Sequence, residues 1–362
     1  MTLVKYIQWI IAIILGFSIV SFIKNKLVQS KKIIFRSIVF IVEFLLMKVI
    51  AFLLIAYASP FIWKYNYVIC GIYIGLLSDL ITDIVLLIVH KINKDIPKYI
   101  VSIAIVLIVS LYGTINMQTI KANTLTYSSD KLTKDYKIVF ISDLHFGSSQ
   151  SEETVLKAFN EIKETNADAL ILGGDITDEY TTKEEMELLY EKIADIDIPT
   201  YFIYGNHDRQ DRGDYLGGNK FSEDELRDTI QKNGITILKD EYALINKDIV
   251  LLGREDPSNS SRKEVEQLAK WDESKFVILV EHTPYQNDDT IKVNADLQLS
   301  EHTHAGQLFP LQTLYNLAGL NTYGNYKVGK TNVYVSSGIT GWYLPYRTEA
   351  FCHYEVVELK KK

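Results

Sequence analysis

"YKIVFISDLHFG" (136–147) is a short apolar run that stops on a carboxylate and an imidazole, Asp143 and His145. Its length, its β-branched and aromatic content and its polar end predict a buried strand that finishes at a chemically equipped loop. The same pattern recurs downstream. "DALILGGDITD" (168–178) ends in Asp175 and Asp178, and "TYFIYGNHD" (200–208) in Asn206, His207 and Asp208. "KFVILVEHTP" (275–284) ends in His282, and "ADLQLSEHTH" (295–304) in His302 and His304. Helical-period segments lie between several of these runs, at Glu152–Glu164, Lys183–Ala194, Glu223–Lys232 and Arg262–Trp271. "NVYVSSGIT" (332–340) and "FCHYEVVEL" (351–359) read as further strands without ligands. Buried strands separated by helices predict an α/β fold, a layered sheet with helices on its faces. In such sheets the loops beyond the carboxyl ends of the strands gather on one edge, where ligand sites form.

Each strand end taken singly has an ordinary explanation. Asp143 could cap a helix, Gly205-Asn206 could be a turn, and His282 could be a core histidine. Five strand ends delivering Asp, His, Asn, His and His to one edge point instead to a metal site. Mixed carboxylate, imidazole and amide ligands suit Mn, Fe, Zn or a similar borderline metal. Seven ligands exceed one tetrahedral site and suit two divalent ions sharing a bridging carboxylate. Two ions about 3.5–4 Å apart activate a bound water and neutralise phosphoryl oxygens during in-line displacement at phosphorus. His207, beside a ligand but not needed as one, fits a catalytic group near the leaving oxygen, with Asp208 placed to orient its ring.

The first third of the chain is different material. A mean hydropathy of +0.04 averages an apolar segment before about residue 120 with a polar, acidic remainder. Four apolar runs, Tyr6–Ile23, Ile33–Ala58, Tyr67–Val89 and Tyr99–Met117, each approach the roughly 17–25 residues a helix needs to cross a hydrocarbon core. None carries a polar stripe, so four transmembrane helices are expected. No small-residue cleavage site follows the first run, which therefore does not read as a signal peptide. Lys24, Lys26, Lys31, Lys32 and Arg36 lie between the first two runs, and Lys91, Lys94 and Lys98 between the last two. The positive-inside rule puts both basic loops in the cytoplasm, and the domain after residue 120 on the extracytoplasmic side of the cell membrane. Glu43, Lys48, Asp79 and Asp83 sit inside the runs; Asp79 and Asp83, one helical turn apart, share a face. Such a cluster serves either an ion path or helix packing. Residues 118–135 read as a polar linker or first strand. Cys70 and Cys352 lie in environments that exclude their pairing. A formal charge of -7 argues against a nucleic-acid partner.

"DLH", "GGDITD", "GNHD", "EHTP" and "EHTHAGQ", in this order and at these spacings, resemble the calcineurin-like metallophosphoesterase family. With the apolar runs before them, the whole chain resembles the transmembrane branch of that family. The resemblance implies a transmembrane region over 1–120 and an α-β-β-α sandwich metallophosphoesterase domain over 121–362. It implies that Asp143, His145 and His304 hold one metal, that Asn206, His282 and His302 hold the other, and that Asp175 bridges them. It places His207 at the leaving group. The activity implied is a membrane-bound hydrolase that cleaves a phosphomonoester, phosphodiester or pyrophosphate by metal-hydroxide attack. Related enzymes include diphosphatases acting on UDP-diacylglucosamine, which by analogy suggests a lipid-linked phosphate substrate at the bilayer. Arg347, Arg209, Trp342 and Tyr343 are candidate substrate contacts. Three positions depart from the family pattern. Glu301 stands where the family has Gly, Glu281 stands where a small residue is common, and the segment after Arg347 lacks the branch's acidic tail motif. Those glutamates, and the charges in the apolar runs, favour the alternative of a membrane sensor or transporter component whose outer domain binds metal or phosphate without turnover. Along an extended segment both glutamates would turn away from the metals.

Overall fold

The computed structural model describes residues 71, 73–86, 88, 97–211, 213 and 218–362. The runs Tyr6–Ile23 and Ile33–Ala58, with Glu43 and Lys48, lie outside the described residues, as do Cys70, Lys91 and Lys94. The chain divides into two compact units, Met1–Asn116 with Leu308–Leu311, and Met117–Gln307 with Gln312–Lys362.

In the first unit, residues 73–86 are helical, with Asp79 buried and Asp83 half-buried. Helix α1 (Lys98–Gln118) is among the described residues the one helix long and apolar enough to cross a membrane. It carries no acidic residue in its first turn and no basic residue in its last. Ile103, Leu107, Leu111 and Ile115 lie exposed along it, a distribution that water disfavours and lipid does not.

The second unit is built on two six-stranded sheets. The strands are β1 (Ile120–Ser129), β2 (Tyr136–Ile141), β3 (Ala169–Leu172), β4 (Thr200–Phe202), β5 (Thr236–Ile237) and β6 (Glu241–Ile245). They continue as β7 (Ile249–Gly253), β8 (Phe276–Val280), β9 (Leu297–Ser300), β10 (Gly324–Val328), β11 (Thr331–Val335) and β12 (Cys352–Lys361). One sheet runs β1-β12-β2-β3-β4-β5 and the other β10-β11-β9-β8-β7-β6. Both are mixed. β2 through β5 are parallel, β12 is antiparallel to β2 and parallel to β1, and β7, β8, β9 and β11 are parallel. Of the two readings of residues 118–135, linker or first strand, the structure has the strand, β1.

Strand periodicity divides the core. Ile138, Phe140 and Ile171 face Leu251, Ile278 and Leu299 between the sheets. Val139, Ile141 and Leu172 turn outward to meet α2 (Glu152–Glu164), α3 (Lys183–Ala194) and α4 (Glu223–Lys232). On the far side, Val250, Leu252 and Leu279 meet Val293 at the end of α5 (Asn287–Val293). Alternate side chains of one strand thus enter two different cores, which makes the layering α-β-β-α.

The three long helices begin where capping chemistry says they should. The Ser151 hydroxyl accepts the Thr154 N–H, while Thr182 with Glu185 and Ser222 with Glu225 form capping boxes. Val155, Phe159 and Ile162 of α2 are buried at spacings of four and three, one face of a helix. The helix expected over Arg262–Trp271 is absent; only Val265–Gln267 makes a single 3₁₀ turn. Arg262 is drawn inward to Glu281 (2.6 Å) and Asp289 (2.7 Å), which fixes the chain before a helix can propagate. Short α6 (Leu311–Leu317) follows the last histidine loop.

Candidate metal centre

All nine residues expected at the site fall at carboxyl ends of β2, β3, β4, β8 and β9. The structure gathers six of them into two groups. Asp143, His145 and His304 form one and Asp175, His282 and His302 the other, the ligating atoms of each lying within 4.8 Å of one another. Asp175 Oδ2 is 3.1 Å from His282 Nε2 and 3.9 Å from His145 Nε2, so it stands between the groups. The other oxygen of Asp175 accepts the His207 N–H at 2.8 Å. His304 Nε2 is 3.3 Å from Asp143 Oδ1.

The backbone here is unusual. Asp143 (φ 55°), His145 (φ 44°), Asp175 (φ 52°), His302 (φ 80°) and His304 (φ 50°) all adopt left-handed conformations. Such residues cost energy and persist only where surroundings dictate them, which is a mark of functional sites. Two glycines make room. A Cβ at Gly205 would lie 2.2 Å from Asp175 Oδ1, and one at Gly174 would lie 2.8 Å from His282 Nδ1.

The donor atoms fit divalent ions. Asp143 Oδ1, His145 Nε2, Asn206 Oδ1, His282 Nε2, His302 Nδ1 and His304 Nδ1 are buried without a hydrogen-bond partner. Buried polar atoms are paired in the great majority of cases, and this concentration of unpaired ones is a donor set that could take up a cation. The opposite ring atom of His282, Nδ1, is held on the Gly173 carbonyl (2.9 Å), and Asp178 lies 3.3 Å from His145 Nδ1. Such contacts fix ring orientation for ligation. Burial lowers His302 to about 4 and His304 to about 3, which keeps both rings in the neutral, ligating form. Burial works against protonation of His145 as well, yet Asp143, Asp178 and Asp175 push it up to about 10. The same negative field would favour a cation.

Around these groups several expectations need correction. Asp208 does not orient His207. Its carboxylate accepts the N–H groups of Asp175 (2.8 Å), Ile176 (2.9 Å), Thr177 (3.0 Å) and Gly205 (2.7 Å), and thereby shapes the two ligand loops. Glu179, which sequence reading passed over, is the partner of His207, its two oxygens 2.8 and 3.0 Å from Nδ1. Burial disfavours the charged His207 ring, but Asp175 and Glu179 raise its pKa above the usual value.

Glu281 does turn from the ligands, into the buried Arg262 pair. Glu301 does not follow the alternation, because β9 ends at Ser300 and His302 has a positive φ. Its carboxyl accepts the N–H groups of His302 and His304, the latter at 2.7 Å. The extra glutamate thus clamps the histidine loop.

Arg347 is buried, and Nη2 donates at 2.6 Å to the carbonyls of His304 and Ser337. Arg209 grips Glu255 (2.7 and 3.0 Å) and Glu223 (2.9 Å) and stacks on Tyr204. Both arginines are braces rather than substrate contacts. Trp342 and Tyr343 remain beside the chemistry. The Trp342 ring lies 5.3 Å from that of His207, and Tyr343 stacks on Tyr180 at 5.3 Å.

The family described as calcineurin-like phosphoesterase matches residues 136–306, which hold all nine expected site residues. A protein named "uncharacterized metallophosphoesterase" from Helicobacter pylori (strain J99) is 33% identical over 225 residues, covering 60% of this chain and 58% of the relative. A Danio rerio protein named "transmembrane protein with metallophosphoesterase domain" is 26% identical over 67% of this chain and 58% of its own length. The phosphodiesterase YaeI of Escherichia coli is 25% identical over 58% of this chain and 76% of its own. The chain thus spans less than two thirds of the length of the first two relatives.

Proposed function

We propose, from the premise that residues 136–306 form a calcineurin-like metallophosphoesterase domain, that the chain is a membrane-anchored phosphoesterase working with two divalent ions. The supporting observation is the set of buried, unpartnered ligand atoms arranged in two groups about Asp175. Asp143, His145 and His304 would hold one ion, and Asn206, His282 and His302 the other. The ions, when bound, supply Lewis acidity and a nucleophile available near neutral pH.

The rest falls to the protein's own groups. Glu179 fixes Nδ1 of His207, leaving Nε2 as the ring nitrogen that can meet a substrate. The raised pKa of His207 favours the protonated ring, the form that can give a proton to the departing oxygen. Trp342, packed beside the ring, limits the water that reaches it. The substrate class we favour is a phosphoester or pyrophosphate presented at a bilayer. α1 supports a membrane anchor, and the name of the Danio rerio relative supports the pairing of such an anchor with this domain. In the same reading the chain crosses the membrane four times, with the boundary near residue 120 and the catalytic domain extracytoplasmic.

The test is hydrolysis of bis(p-nitrophenyl) phosphate and p-nitrophenyl phosphate by the purified full chain, stripped with chelator and reloaded with Mn, Fe or Zn. Activity should appear only on reloading. Asp175→Asn should lose bound metal and turnover together. Retention of two metals per chain and near-normal rates in that variant would refute the dimetal assignment.

A further inference from the structure

Four large apolar side chains lie open on the segments that flank the histidine loop. Leu317, at the end of α6, is 79% exposed, Leu320 46%, Tyr323 38% and Phe351, just before β12, 45%. Contacts tie this surface together and to the site. Thr303, between the two histidines, donates its hydroxyl to the Thr322 carbonyl. The Tyr323 and His353 rings lie 6.1 Å apart, and His353 is paired with Lys121 across β1 and β12. Lys121 Nζ sits 3.8 Å from the centre of the Phe351 ring.

The same edge is where the chain leaves α1. Met117 accepts hydrogen bonds from the Gln150 side chain and the Cys352 thiol, and Ile120 is registered with Cys352. β12 runs antiparallel to β2, pairing Glu355 with Phe140. The starts of β1 and β12 therefore lie at the end of β2 that carries Asp143. A chain emerging from a bilayer at residue 118 enters this domain at its metal-bearing edge, beside Phe351 and Lys121.

We infer that Leu317, Leu320, Tyr323 and Phe351 form a second membrane contact that rests on the lipid surface, with Lys121 meeting anionic headgroups. Tyrosine and lysine beside exposed leucine and phenylalanine are the residues that settle at the headgroup level. Only Thr119 separates α1 from β1, so this edge is tethered close to any bilayer that α1 crosses, which argues for lipid over a protein partner. The docked patch would hold the histidine loop against the headgroups, so a lipid phosphate could reach the metal edge without leaving the bilayer. This inference rests on the reading of α1 as a membrane span.

The full chain would be reconstituted into phosphatidylethanolamine–phosphatidylglycerol nanodiscs, with Cys70→Ser removing one thiol and buried Cys352 left in place. Nitroxides at Leu317→Cys and Leu320→Cys should show high oxygen and low nickel-chelate accessibility. A nitroxide at Leu244→Cys, exposed on β6, should show the reverse. Water-like values at both patch positions overturn the inference. The double variant Leu317→Glu/Leu320→Glu should keep its rate on bis(p-nitrophenyl) phosphate and lose about tenfold on a phosphodiester embedded in the nanodisc, given the apolar area withdrawn from lipid. Equal loss on both substrates would also overturn it, by making the patch part of the fold. Extraction of the chain from membranes by carbonate would instead defeat the anchor reading. Absence of turnover on any ester would defeat the phosphoesterase reading, while the nitroxides still decide the docking.

Discussion

Glu179 and Glu301 show how far single side chains govern this centre without being among the expected ligands. Glu179 holds the Nδ1 face of His207, and with Asp175 it raises the pKa of that ring. The sign of the effect is clear: a raised pKa extends the protonated form to higher pH, so proton donation fails as pH rises through that value. Glu179→Gln removes one of the charges responsible. The descending limb of the kcat–pH profile should move to lower pH, while metal content stays unchanged; an unmoved limb would separate Glu179 from the proton. Glu301 acts on the backbone instead. Its carboxyl collects the N–H groups of His302 and His304, and Glu301→Gln can keep only part of that pair. Metal retention on dialysis should weaken by roughly 10–100-fold, the usual worth of a group supporting a ligand. Unchanged retention would mean that the loop holds its shape without the clamp. The sequence places Glu179 only next to Asp178, and no period tells which of two adjacent carboxylates will face a histidine. Likewise Asp208 sits beside His207 in the chain, yet three of its four N–H donors belong to the Asp175–Thr177 loop, remote from it in sequence.

Elements were more legible than their contacts. Ser151, Thr182 and Ser222 announce α2, α3 and α4, and the apolar period carries each helix to its end, so local chemistry suffices. The strand ends bearing Asp143, Asp175, Asn206, His282 and His304 could be read for the same reason, since apolar runs stop where polar residues begin. Arg262–Trp271 misled because its helical period is overridden by a buried ion pair that only the folded state possesses. These two kinds of feature should separate in experiment. Thr182→Ala removes a cap and should cost about 1 kcal/mol of stability, seen as a lower Tm with metal affinity unchanged. Gly205→Ala places a methyl group 2.2 Å from Asp175 Oδ1. It should displace the carboxylate that stands between the two ligand groups, lowering metal content far more than Tm. A normal metal content in Gly205→Ala would show that the loop shifts freely, contrary to the clamping by Asp208.

At the scale of the whole molecule the two materials of the chain make separate demands. If both basic loops are cytoplasmic, protease added to intact spheroplasts should degrade residues beyond about 120. Protection until the membrane is opened would reverse the orientation. Within the second unit the order of strands carries a further consequence. β12 lies between β1 and β2, although some two hundred residues separate it from either in sequence. During synthesis β1 and β2 leave the ribosome early and cannot take their final places in the first sheet. They must wait for Cys352–Lys361 to be inserted between them. Arg347, which ties the His304 loop to the carbonyl of Ser337, arrives equally late. The first sheet and the brace on the His304 loop therefore stay incomplete until residues 347–361 have been made. A nascent chain arrested before residue 347 presents two open strand edges, on β1 and β2, and a histidine loop without its Arg347 brace.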